Sequence, residues 1–384
     1  MEVKAFQYVE DKGWSVERFP ELDSEQSLII VFAAPDFYNN PAPIKELASF
    51  YKKAKMIGCS TAGEIFGPSI FDKSLSVVII QFAKTPILIA KAEVKNNQDS
   101  FEAGKHIAQQ LMRDDLQSIF VLSDGLKVNG SELVKGLNSQ GKGMLISGGL
   151  AGDSSAFKNT WTIFNGEIIT DHIVAVGFYG EHITIAHASK GGWDIFGPAR
   201  HITRSEQNIL YELDNQPALS LYKEYLGERA AELPASGLLF PLAIWDNAEK
   251  DATPVVRTIL GIDEKEKALI FAGDMPVGYY AQLMRANFDR LINSASEAGE
   301  MAKNSVFVQQ PTNKDHVVTI SISCVGRRLL LGERTEEETE STFEAFPNGT
   351  TQVGFYSYGE LSPLASGECR LHNQTMTLTT FMEK

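Results

Sequence analysis

Residues 27–34 read SLIIVFAA, an unbroken apolar run closed by Pro35, and no other segment constrains the fold as tightly. A run of that length without polar alternation is a strand buried on both faces. Its surroundings agree with a strand–helix alternation. Residues 41–53 place proline in a first helical turn and Ile44, Leu47, Phe50 and Tyr51 at helical spacing. Residues 56–60 are short and apolar and end in a small-residue turn. Two runs rich in β-branched residues, 74–82 and 86–94, are separated only by Ala83, Lys84 and Thr85, a spacing that predicts an antiparallel pair.

Further on, residues 100–113 carry Phe101, Gly104, Ala108 and Leu111 on one helical stripe. Residues 118–123 form a strand ending at Asp124-Gly125, and Asn129 is placed to cap a helix bearing Leu133, Val134 and Leu137. A strand at 144–147 runs into the glycine-rich turn 148–153. From Thr160 the texture changes to hairpins, with Asn165-Gly166 as a two-residue turn signal. A parallel βα part followed by antiparallel hairpins predicts a mixed α+β fold whose sheets are layered with helices.

The turn chemistry of residues 214–217 marks a boundary. It divides the chain into an N-terminal extension (1–26), a first domain (27–215) and a second (216–384). The second opens with a helix bearing Leu219, Tyr222 and Leu226, followed by strands at 238–245, 255–260 and 268–272. A long helix is expected over 279–302, with Tyr280, Met284, Phe288, Leu291 and Ala295 on one face. A strand at 316–323, a glutamate-rich helical stretch over 327–346 and strands at 352–356 and 374–381 complete it. Residues 119–153 and 318–360 share a layout of strand, helix, strand, glycine turn and carboxylate, which suggests an internal duplication.

The 384 residues suffice for two or three domains, and 43% hydrophobic against 22% charged residues is a globular balance. Lys plus Arg number 35 against 49 Asp plus Glu, leaving −14, and no basic run is present. Nucleic-acid and anionic-membrane surfaces therefore lack an electrostatic footprint. Cys59, Cys324 and Cys369 lie far apart without a CxxC pair, against a disulfide framework or structural zinc. The first residues lack the basic start and apolar stretch of a signal peptide. Apolar runs such as 238–245 fall far short of the roughly 20 residues that span a bilayer. The expected location is the cytoplasm.

Several motifs invite a chemical reading. Residues 136–143 approach a phosphate-binding loop, but Gly143 stands where Ser or Thr should hold magnesium and a helix precedes where a strand should. Residues 58–63 (GCSTAG) approach a nucleophile elbow with one residue too many. Cys59 or Ser60 as a hydrolase or transferase nucleophile also lacks a placed base, which favours a turn or ligand cradle. No metal-binding spacing occurs. His187 shares a strand face with Ile183 and Ile185, as a core histidine does or as a single axial haem ligand would; His201, expected on a loop, is the other haem candidate. The acidic segment 333–344 reads most simply as a solvated face, with a partner surface as the alternative.

Residues 57–65 (IGCSTAGEI) and 148–153 (GGLAGD) resemble the N-terminal FIST domain. Residues 221–227 (LYKEYLG), 324–328 (CVGRR), 355–360 (FYSYGE) and 371–375 (LHNQT) resemble the C-terminal FIST domain. The motifs occur in family order from about residue 27 onward. The resemblance implies a sensory module of signal transduction, not an enzyme, that binds small molecules such as amino acids. In one branch it implies a haem protein that senses nitric oxide and restrains a histidine kinase. A lone sensor of this kind is expected to signal through a partner protein, a histidine kinase first among them.

For an amino-acid guest the expected contacts are specific. Glycine-turn N–H groups with the Ser60 and Thr61 hydroxyls would meet its carboxylate, and Arg327 would clamp it. Glu64, Asp153 or Glu360 would face its ammonium, while Tyr358 and Asn373 fix its orientation. The plainer alternative is that Glu64 and Glu360 bond strand-end backbone and tie the domains together.

Overall fold

A computed structural model describes residues 1–141, 144–246, 254–306, 316–364 and 366–384. The helices are α1 (Ala42–Phe50), α2 (Ser100–Leu111), α3 (Gly130–Asn138), α4 (Ala218–Leu226), α5 (Phe288–Val306), α6 (Val325–Leu331) and α7 (Thr335–Glu344). The fold is mixed α+β, as the alternation of patterns predicts.

Three sheets form the core, and all three follow one plan. At the centre of each lies a parallel pair joined through helix: Ser27–Ala33 with Lys55–Ser60 through α1, Leu116–Ser123 with Leu145–Leu150 through α3, and Val317–Cys324 with Thr351–Ser357 through α6 and α7. An antiparallel strand flanks the first member of each pair: Ser74–Gln81, His172–Tyr179 and Met376–Glu383. The sheets are then completed by exchange. Glu64–Phe66 leaves the first unit to pair with Thr351–Ser357 of the third; Thr162–Phe164 leaves the second to pair with Lys55–Ser60; Gly359–Pro363 leaves the third to pair with Leu145–Leu150. Opposite edges are filled by Glu2–Val9, Ile87–Glu93 and Ile183–Lys190. The layout glimpsed twice in the sequence thus occurs three times. The second and third sheets are shared between the segments before and after residue 215, while the first lies wholly before it.

Strand alternation explains the burial on both faces. Leu28, Ile30 and Phe32 point to a central core together with Phe120, Leu122, Val318, Ile320 and Ile322 from the other sheets. Ile29, Val31 and Ala33 point outward under α1, and Ile119 and Val121 outward under α2 and α3. Both faces of each central strand are covered, as an unbroken apolar run requires. One glycine per sheet permits the parallel pairs to close. A Cβ at Gly58, Gly148 or Gly354 would strike the carbonyl oxygen of Val31, Val121 or Ser321 on the neighbouring strand.

Two expectations are corrected. Residues 74–81 and 87–93 do not pair with each other: the first joins the sheet of Ser27–Ala33 and the second the sheet of His172–Tyr179. The short link turns between sheets because Glu383, at the other end of the chain, accepts from the N–H groups of Ala83, Lys84 and Thr85 and from the Thr85 hydroxyl at 2.7–2.8 Å. The helix expected from residue 279 begins at Phe288, and Tyr280–Arg285 is a strand held on both sides by Leu242–Trp245 and Asp194–Glu206.

Between Ile183–Lys190 and α5 the chain builds a lobe with its own sheet of eight strands, within residues 194–285, and α4 packs on it through Leu219, Tyr222 and Leu226. The turn at 214–217 lies inside this sheet, with Leu213 opposite Gln216.

Candidate functional site

The exchanged strands bring three turns together in a ring of backbone hydrogen bonds. Ala62 N–H donates to the Tyr356 carbonyl (2.8 Å), Gly152 N–H to Ser60 (3.0 Å) and Tyr358 N–H to Leu150 (3.1 Å). Each turn of one unit is therefore stitched to a strand end of another. Most of the residues expected at a binding site lie here.

Glu64 and Glu360 occupy matching places. Glu64 bonds the Thr61 hydroxyl three residues before it and accepts from the N–H and hydroxyl of Ser74 at 3.1 and 2.7 Å. Glu360 bonds Ser357, also three residues before it, at 2.7 Å and accepts from the N–H and hydroxyl of Thr375 at 3.2 and 2.9 Å. Complete burial pushes both carboxyl groups up to about 8, against the lowering effect of those hydrogen bonds. The third matching place is held by Thr162, not Asp153. Cys59 stands opposite Thr162 as Phe355 stands opposite Glu64 and Gly149 opposite Glu360. Asp153 instead folds its own loop, accepting from the N–H groups of Phe157, Lys158 and Asn159 and from the Tyr358 hydroxyl.

Other expected contacts are also engaged within the protein. Ser60 Oγ accepts from Trp161 N–H at 3.1 Å. Arg327, fully buried, pairs with Glu338 at 2.5 Å and donates to the carbonyls of Gly191, Gln374 and Leu291 at 2.6, 3.3 and 2.8 Å. Glu338 is likewise fully buried, so the acidic segment is not wholly a solvated face. The ion pair draws it in, with Ser323 and the Tyr356 hydroxyl completing its partners.

Two expected residues differ from these. Asn373 is buried, yet neither end of its side-chain amide has a hydrogen-bond partner, and the amide of its neighbour Gln374 is in the same state. Unpaired buried amides are uncommon and call for an explanation. Gln374 lies against Gly326, where a Cβ would collide with its amide. Gly326 and Tyr358 both line a cavity of about 240 Å³ between the ring of turns and the lobe. The wall on the ring side includes Val325, Leu329 and Phe157, whose ring stacks on Tyr358 with centroids 4.4 Å apart. The lobe supplies Pro234, Ala235, Leu238, Thr258 and Ile259. Sequence reasoning missed Phe157 and every lobe residue. The signals available were the FYSYGE motif, which holds Tyr358, and the CVGRR motif, which holds Gly326. Across α6 a more open cleft of about 580 Å³ shares Val325 and Leu329 and holds Arg328, which forks onto Asp72 at 2.9 and 2.7 Å.

The residues do not fit a haem. His187 lies half-buried on its strand opposite Thr379. His201 is on a strand of the lobe, not a loop, with its ring 4.2 Å from that of Tyr280. Neither lines either cavity. Among the described residues no group of three or more His, Cys, Asp or Glu side chains could hold a metal ion. Cys59 is buried and its thiol is pushed well up by desolvation, the opposite of an activated nucleophile. Gly136–Asn138 belong to the end of α3, and Lys142 and Gly143 of the loop-like motif lie outside the described residues. No described helix is long and apolar enough to cross a membrane.

Sheets shared in a ring, with a walled cavity beside their turns, describe a mixed α+β protein built from two tandem sequence segments. The chain belongs to the FIST family: the FIST N domain matches residues 27–216 and the FIST C domain residues 218–363. FIST domains are sensory domains of signal transduction. An uncharacterized protein of Methanocaldococcus jannaschii is 24% identical over 83% of this chain and 66% of its own length. One of Mycobacterium tuberculosis is 23% identical over 68% and 67%. The chain thus spans about two-thirds of the length of these relatives. A cyanuric acid hydrolase structure from A. caulinodans matches 78% of this chain and 99% of that one at 10% identity. Its TM-score of 0.19 carries no weight for fold or activity.

Proposed function

We propose that this chain is a small-ligand sensor whose guest binds in the cavity between the ring of turns and the lobe, and whose occupancy is read by a signalling partner. A histidine kinase is the kind of partner the family resemblance implies, and the cytoplasm, where its free, buried cysteines remain reduced, is its place. The cavity itself, walled by the ring of turns on one side and by the lobe on the other, carries the reading. Ligand sites are concave, mostly apolar and furnished with few polar groups, and they occur preferentially where two parts of a molecule meet.

The readout follows from Arg327. Its guanidinium bonds the carbonyls of Gly191 and Leu291, which flank the two crossings between core and lobe, and that of Gln374 in the 373–375 turn. A guest that shifts the 373–375 turn changes the contacts that set the lobe's orientation, and a two-state element of that kind is what a partner can sense. Thermal-shift measurements across amino acids, related metabolites and haemin test the reading. A guest at 100 times its Kd stabilises by about 2.7 kcal/mol, so a clear rise in Tm is expected, lost in Ala235→Trp, which places a large ring at the cavity wall. A panel that gives no shift, or a shift that survives Ala235→Trp, contradicts it.

A further inference from the structure

We infer that the guest of this cavity is an uncharged, largely apolar ring-sized molecule, bound through its π face and a single hydrogen bond, and not an amino acid or other ion. The inference rests on the sensor reading above and specifies the ligand class.

Among the described residues, no Asp, Glu, Lys, Arg or His side chain lines the cavity. The two titratable groups in its wall, the Cys324 thiol and the Tyr358 phenol, are both pushed up by burial and stay neutral near pH 7. Nearby charges are already engaged: Arg327 by Glu338, Arg328 by Asp72, Asp153 by three backbone N–H groups and the Tyr358 hydroxyl, and Arg257, which lines a different pocket, by the carbonyls of Asp274, Val256 and Leu371. A carboxylate or ammonium entering here would lose its water without gaining a counter-charge, a heavily penalised exchange.

What the walls do supply is apolar surface. The stacked Phe157–Tyr358 pair lines it from the ring of turns, and Leu238 and Ile259 line it from the lobe. At about 240 Å³ the space lies below the roughly 300–1,000 Å³ of drug-sized sites. One polar side chain in the wall is unspent: Thr258 is 4% exposed and its hydroxyl has no hydrogen-bond partner. It can accept from a ring N–H or O–H, or donate to a carbonyl.

Isothermal titration of the full chain with indole, indole-3-acetate and L-tryptophan tests this, because the three share a ring and differ in charge. Indole is expected to bind one saturable site, with both charged probes weaker by about tenfold or more. Ala235→Trp should abolish indole binding while far-UV circular dichroism stays unchanged. Thr258→Val should weaken indole several-fold and leave 1-methylindole, which lacks the ring N–H, unaffected. Charged probes that bind as tightly as indole, with Ala235→Trp abolishing them, overturn the ligand class and leave the sensor reading standing. No binding by any probe, or indole binding indifferent to Ala235→Trp, overturns the proposal.

Discussion

The first and third sheets share a strand plan, yet their outward faces are made of different matter. Under α1 the first sheet presents Ile29, Val31, Leu75, Val77 and Ile79, an apolar layer like that of an ordinary interior. The corresponding layer of the third sheet keeps Met376 and Leu378 but otherwise carries Thr319, Ser321, Ser323, Gln352 and Tyr356, all buried, with the Arg327–Glu338 pair above them. Equivalent topology does not demand equivalent chemistry. The first face stabilises by apolar burial, which tolerates small adjustments. The third adds polar groups, most of which depend on a particular partner, as Ser323 and Tyr356 do on Glu338. That network also reaches both crossings between core and lobe, through the bonds of Arg327 to the Gly191 and Leu291 carbonyls.

The contrast can be broken most severely at Arg327. Replacing it with methionine leaves Glu338 charged and unpaired in the interior, and a loss of about 3–5 kcal/mol is expected in chemical denaturation. Replacing both partners with apolar residues should recover most of it. A double variant as unstable as the single one would show that the network's value lies outside the ion pair.

A slightly smaller effect is expected at the two matching carboxyls. Glu64 and Glu360 keep their protons to about pH 8 in the folded protein, against an ordinary value of 4.5. Between those values the folded state binds more protons than the unfolded one, so stability is highest below 4.5 and declines as pH rises through 8. The decline is on the order of a few kcal/mol for each side chain. Glu64→Gln and Glu360→Gln should each flatten it, measured as ΔG of unfolding from pH 5 to 8.5. Glu383 has the opposite sign: its hydrogen bonds hold it down to about 2, and its contribution is present above 4.5 and lost as pH falls through 2.

Apolar truncation sharpens the comparison further. Ile29→Ala in the first sheet should cost about 2–4 kcal/mol, the ordinary consequence of a core cavity. In the third sheet the Thr380 hydroxyl bonds that of Thr319 at 3.0 Å. Thr319→Val alone leaves that donor unpaired and should cost about 1–3 kcal/mol, whereas valine at both positions should be nearly neutral. Additive losses at the two threonines would erase the proposed distinction between the faces.

How far these features could be read in advance follows from the distance over which each is determined. The 27–34 run announced a strand covered on both sides because that burial is written into consecutive residues. The link at 83–85 misled because its conformation is fixed by Glu383, some 300 positions away. Tyr280 and Met284 satisfied a helical period, but strands on either side claimed the segment. Glu338 resembled its acidic neighbours until Arg327 was seen beneath it. At the site, Tyr358 stood within a recognisable motif, while Thr258 and Ile259 come from a strand junction of the lobe with no local sign of its destination. A cavity formed by segments far apart in the chain has no sequence pattern of its own.

The most direct measurement is a crystal structure of the protein with a bound guest, either co-purified or taken from the thermal-shift panel. The account requires electron density between Tyr358, Gly326 and Thr258, with the lobe closed against the ring of turns. Density confined to another surface, with that cavity unchanged, would contradict it.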